Sequence, residues 1–315
     1  MVQATVQESV STKRQESSKW SSLSLLTISG IMLSIGIAWR VVDQFVLGLG
    51  DTWMNIMPSK LFPFLIIIGF FWKFRSSEIG SVLGLSTNQL RVHLSFGLFL
   101  GILISFMIDV GGTVIYGIFL DPSYPLELRI LNPELLGYMF LFFLTNALLE
   151  ETLFRGLLQN AFKTRVSPNR AIGLSALIFG LWHAGWPIVN GGPIREVMTQ
   201  VATIVFGTII LGLLFGFYYE KFSSGQSLVG VIVAHTILNF VGECFKIGPE
   251  PTMQGPDIVM HNAGIMTVTF ALFFGTFLTL FIVFWRYKIE NAATLRHRLT
   301  KRMRNILTSD TGTDE

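Results

Sequence analysis

The chain has 315 residues, of which 51% are hydrophobic and 14% charged, and its mean hydropathy is +0.57. Soluble domains carry about a quarter charged residues, so this composition excludes an ordinary water-soluble protein and indicates a polytopic helical membrane protein. A net charge of +3 gives no nucleic-acid signature, and the single cysteine, Cys244, excludes an internal disulfide or a cysteine-based metal site.

Residues 1–22 are polar and rich in Ser and Gln, and they read as a disordered cytosolic leader. The apolar run that follows is too long for a signal-peptide core and lacks a small-residue cleavage site. Apolar runs predict eight spanning helices, at about 23–48, 56–73, 94–120, 135–161, 171–190, 198–220, 226–245 and 263–285. Each is near the ~20 residues needed to cross a bilayer. The runs are continuous rather than alternating, which selects helices. With the N-terminus inside, 17 Lys and Arg fall in inner segments and four in outer ones, Lys60, Arg129, Arg195 and Lys246. That bias predicts an even number of spans and cytosolic termini. The spans make one domain over 23–290, and 291–315 is a cytosolic tail, basic and then polar, whose "LRHRLTKRMR" suits an anionic membrane surface.

Along the spans, ionisable groups are costly and mark functional candidates. In the first span Arg40 and Asp43 are three apart and read as a structural pair. Asp109 in the third and Glu220 in the sixth have no evident role, and His93, His261 and His297 fall in or near loops. The Pro-rich stretches "DPSYPLELRILNPE" and "KIGPEPTMQGPD" read as external caps or linkers.

The fourth span contains "NALLEETLFRGLL". Glu151 and Arg155 are four apart, share a helix face and can pair, which leaves Glu150 about 100° away and free for chemistry. The fifth span contributes His183 in "ALIFGLWHAGW", and the seventh contributes His235 and Asn239, four apart on one face. Taken singly, these groups are as well explained by ion pairs and packing between helices. Together they lie at a common depth. Glu150, His183 and His235 are about 11, 12 and 9 residues from the inner ends of their helices, which agree within about 5 Å at ~1.5 Å per residue. A carboxylate with hydrogen-bonding neutral groups is a toolkit for activating water and stabilising an oxyanion.

The pieces "EETLFR", "FGLWH" and "HTILN", in this order on separate spans, resemble the CPBP family of intramembrane proteases, which includes the type II CAAX prenyl endopeptidases. The family pattern is EExxxR, FxxxH and HxxxN, and the resemblance covers residues 135–245. It implies an intramembrane endopeptidase acting on a membrane-embedded or lipidated substrate, a prenylated CAAX-type chain among the candidates. It implies that Glu150 activates water, that His183 holds that water, and that His235 and Asn239 form the oxyanion hole. Glu151 and Arg155 would then support the site. No HExxH pair is present, so a metal-independent glutamate mechanism without cofactor is expected; a zinc ion, if used, would take Glu150, His183 and His235. Non-proteolytic immunity or scaffold proteins on the same fold are the alternative. A proton-coupled carrier would need inverted repeats, which the sequence does not display. The compact length and lack of an ER-retention signal point to a prokaryotic plasma membrane.

Overall fold

The computed structural model describes residues 20–47, 53–248, 262–290 and 294. Most of the leader, the basic run of the tail, His261 and His297 lie outside the described residues. The described chain is an all-α membrane helix bundle with one small ribbon. In order it has α1 (Leu25–Val41), α2 (Trp53–Phe74), α3 (Leu90–Ser105), α4 (Gly111–Ile115), β1 (Leu128–Ile130) and α5 (Leu136–Glu151). Then come α6 (Gln159–Lys163), α7 (Pro168–His183), α8 (Gly185–Asn190), α9 (Ile194–Phe217), α10 (Val229–Cys244), β2 (Phe245–Ile247) and α11 (Ala263–Arg286).

Helix starts follow local chemistry. The Ser24 side chain accepts from the Thr27 amide at the head of α1, and Asn262 accepts from Gly264 and Ile265 at the head of α11. Pro168 opens α7, where its missing N–H costs nothing. Several rods continue through π-helical turns. A π segment at Thr152–Leu158 joins α5 to α6, and another at Phe106–Val110 joins α3 to α4.

Six helices among the described residues are long and apolar enough to cross a membrane: Leu25–Leu47, Met57–Phe74, Leu90–Ile108, Pro168–Val189, Ile194–Phe222 and Ala263–Arg286. The fourth and seventh expected spans are helical but do not meet that measure. The α5 rod carries Glu150, Glu151 and Arg155, and α10 has 16 residues before the chain turns into β2. Large apolar side chains such as Trp72, Phe99, Leu181, Phe206 and Leu278 face outward, as a lipid-facing surface requires.

The stretches read as plain caps contain a ribbon instead. Strands β1 and β2 pair antiparallel, with Arg129 opposite Lys246, and tie the start of the α5 rod to the end of α10. Two of the four cations assigned to outer segments are buried. Lys60 lies inside α2, and the Lys246 ammonium donates to the Gly242 carbonyl. His93 is also no loop residue: it is buried on α3 with Nδ1 3.1 Å from the Tyr218 hydroxyl. Glu220 pairs with Lys163 at 2.8 Å.

Two apolar cores flank the α5 rod. One joins α3, α9, α10 and α11 around Leu100, Leu214, Phe215, Val231 and Phe284. The other joins α1, α2, the π segment and α7 around Met32, Phe71, Leu153, Phe154 and Phe179.

Candidate active site

The site forms where α2, the α5 rod, α7 and α10 meet, and small residues bring the helices together. Gly97 and Gly101 of α3 face Gly230 and Ala234 of α10, and a Cβ at Gly97 would overlap the Gly230 carbonyl. Gly180 of α7 lies against Val205 and Ile209 of α9, and Gly212 of α9 against Ala176. Close backbone approach of this kind is how membrane helices gain contact without a hydrophobic driving force. It sets the positions of His183 and His235, which follow directly on these seams.

Glu150 and Glu151 are both fully enclosed, at 2% and 0% exposure. Glu151 Oε1 accepts from Arg155 Nη1 at 3.1 Å and from His235 Nδ1 at 2.7 Å. The Arg155 guanidinium lies 3.9 Å from the centre of the Phe179 ring. A buried Arg is thus satisfied on one side by charge and on the other by an aromatic face. The expected Glu151–Arg155 pair is present, and it also reaches His235.

Glu150 is not left free as the helix-face argument had it. Its Oε1 accepts from the Trp182 indole Nε1 at 3.2 Å and lies 3.6 Å from the Lys60 ammonium. Its Oε2 lies 3.8 Å from His183 Nε2 and 3.8 Å from His235 Nε2, too far for a hydrogen bond, and has no hydrogen-bond partner among the described residues.

The two imidazoles are oriented from behind. His183 Nδ1 lies 2.8 Å from the Phe179 carbonyl, which only accepts, so this nitrogen carries the proton. His235 Nδ1 likewise faces the Glu151 carboxylate. In their neutral forms both rings therefore present Nε2 as an acceptor toward Glu150 Oε2. Three acceptors converge on one small space, and His235 donates from Nε2 only as an imidazolium.

Of the four candidate catalytic residues, Glu150, His183 and His235 are brought together. Asn239 is half-buried one turn beyond His235 on α10, and among the described residues its amide makes no hydrogen bond to the carboxylates or imidazoles. Among the described residues no group of three or more His, Cys, Asp or Glu side chains is disposed to hold a metal ion. A dication at Glu150 would also stand beside the Lys60 ammonium.

Sequence reasoning missed Lys60, Trp182 and the reach of Arg40. Arg40 Nη1 donates to the Trp182 carbonyl at 3.3 Å, and its guanidinium stands 5.1 Å from the Trp182 ring. Beside them a cavity of about 420 Å³ opens between α1, α7 and α8, walled by Leu33, Ile37, Phe45, Leu181 and Ile188 with Arg40 and Trp182.

Comparison with curated proteins finds no match. The family model described as Type II CAAX prenyl endopeptidase Rce1-like matches residues 132–241, the stretch that contains "EETLFR", "FGLWH" and "HTILN", while Lys60 and Arg40 lie outside it.

Proposed function

We propose that this chain is an intramembrane endopeptidase that hydrolyses a peptide bond of a membrane-associated, CAAX-type substrate with water activated by Glu150. The observation that carries the reading is the convergence of Glu150 Oε2 with two imidazole Nε2 atoms inside the bundle. Glu150 Oε2 and the His183 imidazole can take the two protons of a water molecule, which keeps a lone pair for attack. One proton goes to Glu150 Oε2 as the oxygen adds to the scissile carbonyl. The other is held by an imidazole. The protonated Glu150 then supplies the proton that the departing amine needs.

Negative charge develops on the carbonyl oxygen during attack. His235, drawn toward Glu151 on one side, meets that charge from Nε2 when protonated, and Asn239 on the same helix supplies an uncharged donor as the substrate settles. The match to a prenyl endopeptidase family supports a substrate with a lipidated cysteine near its C-terminus. Both chain ends on the cytosolic side remain part of this reading, supported by the Lys and Arg bias.

The test uses the purified chain in lipid vesicles with a farnesylated CAAX-type peptide. Release of a C-terminal fragment, seen by mass spectrometry, is expected. Its rate should persist after a strong chelator. An intact peptide would reject this substrate class, and loss of cleavage restored by zinc would make Glu150, His183 and His235 metal ligands.

A further inference from the structure

The two oxygens of Glu150 have different surroundings, and the difference is built by residues outside the three motifs. Oε1 faces α2 and the end of α7, through Lys60 and Trp182. Oε2 faces the imidazoles of α7 and α10.

A glutamate carboxylate turns easily about its last torsion, since that torsion is broad and nearly two-fold. An unheld carboxylate would spread its orientation between the two sides. An indole N–H and an ammonium on one oxygen fix the plane and leave the other oxygen on the imidazole side. We infer that Lys60 and Trp182 are positioning residues that hold Glu150 by Oε1, and that Arg40 serves the same end by holding Trp182. The inference rests on the endopeptidase reading of Glu150.

The cost of placing Lys60 here supports a role. Its ammonium is enclosed, at 6% exposure, and a lysine near a helix end would ordinarily snorkel to the interface. It sits in "PSKLFP", and the structure keeps both Pro58 and Pro63 inside α2. Each proline removes a backbone hydrogen bond and bends the helix. Between them Lys60 reaches Glu150 at 3.6 Å and stands against the Trp182 ring, 6.0 Å from its centre. Arg40 then completes the chain of contacts from α1 through the Trp182 carbonyl.

The experiment has two arms on the full chain in lipid nanodiscs. In the first, ¹⁵N-labelled tryptophan reports the indole N–H resonances, and Trp182→Phe identifies the Trp182 signal by its disappearance. Glu150→Gln and Lys60→Met should each shift that signal; an unmoved signal in Glu150→Gln would overturn the arrangement. In the second, a farnesylated CAAX-type peptide is the probe. Lys60→Met and Trp182→Phe should each lower kcat about 10–100-fold, the size typical of groups that orient a reacting one, with KM unchanged. The double variant should cost less than the product of the two, because both act through one oxygen. Lys60→Arg should recover most of the rate. Unchanged kcat, multiplicative losses, or a rise in KM with kcat kept would overturn the inference, the last assigning Lys60 to substrate binding. A wild-type chain that leaves the probe uncut would reject the proposed substrate class alone, while the indole arm still decides whether Glu150 is held.

Discussion

On the α3–α10 and α7–α9 seams, backbones touch through glycine, whereas between α1, α7 and α8 large side chains stand apart around a cavity of about 420 Å³. The Glu150 carboxylate lies where these two kinds of packing meet. The tight half fixes the two imidazoles, because a helix that touches its neighbour's backbone has no room to shift. The open half presents Arg40 and Trp182 at a cavity wall, next to the oxygen of Glu150 that is already bound.

The comparison can be broken at its pin. Arg155 lies between Glu151 and the rings of Phe179 and Phe215, so it joins the α5 rod to α7 and α9. Arg155→Ala strands an enclosed carboxylate and should cost roughly 3–5 kcal/mol. A fall in folded yield and thermal midpoint, together with the rate, is the expected result.

Asn239→Ala tests the tight wall at its chemical end. Loss of one oxyanion donor costs about 10²–10³-fold in kcat. A residual rate with an unchanged melting curve should be measured on the farnesylated peptide, and full activity would remove Asn239 from the mechanism.

Two glycine substitutions sharpen the contrast in packing itself. Gly97→Ala pushes a methyl group into the Gly230 backbone and should destabilise by about 1–3 kcal/mol, the usual cost of overpacking. Gly30 on α1 has nothing within 4 Å of an added Cβ, so Gly30→Ala should change stability by no more than about 1 kcal/mol, in the favourable direction. Equal effects at the two sites, in thermal unfolding of the reconstituted protein, would dissolve the distinction between the halves.

The groups that converge were legible in the sequence because they obey helical spacing in an apolar setting. Glu151 and Arg155 are four apart, and Glu150, His183 and His235 fall at one depth. Their partners were not legible. Lys60 sits near the start of a span, where a lysine reads as an interfacial flank, and nothing in its spacing says that it is buried against Glu150. Trp182 reads as one more core aromatic, since nothing local says that its N–H meets a carboxylate 32 residues earlier. The π segment Thr152–Leu158 depends on a slip in backbone bonding that residue pattern does not specify, and the strands of the ribbon are three residues each, too short for an alternating signal. The helices themselves were readable by length, and the limits expected for the seventh span fall within three residues of α10.

Glu150→Gln is the most direct measurement. The amide keeps the size of the side chain and an oxygen for Trp182 and Lys60 to donate to, while removing the charge and the base. Cleavage of the farnesylated peptide by this variant should fall to background, with a thermal midpoint close to that of the unaltered chain. A folded Glu150→Gln protein that still releases the C-terminal fragment at the unaltered rate would contradict water activation by Glu150.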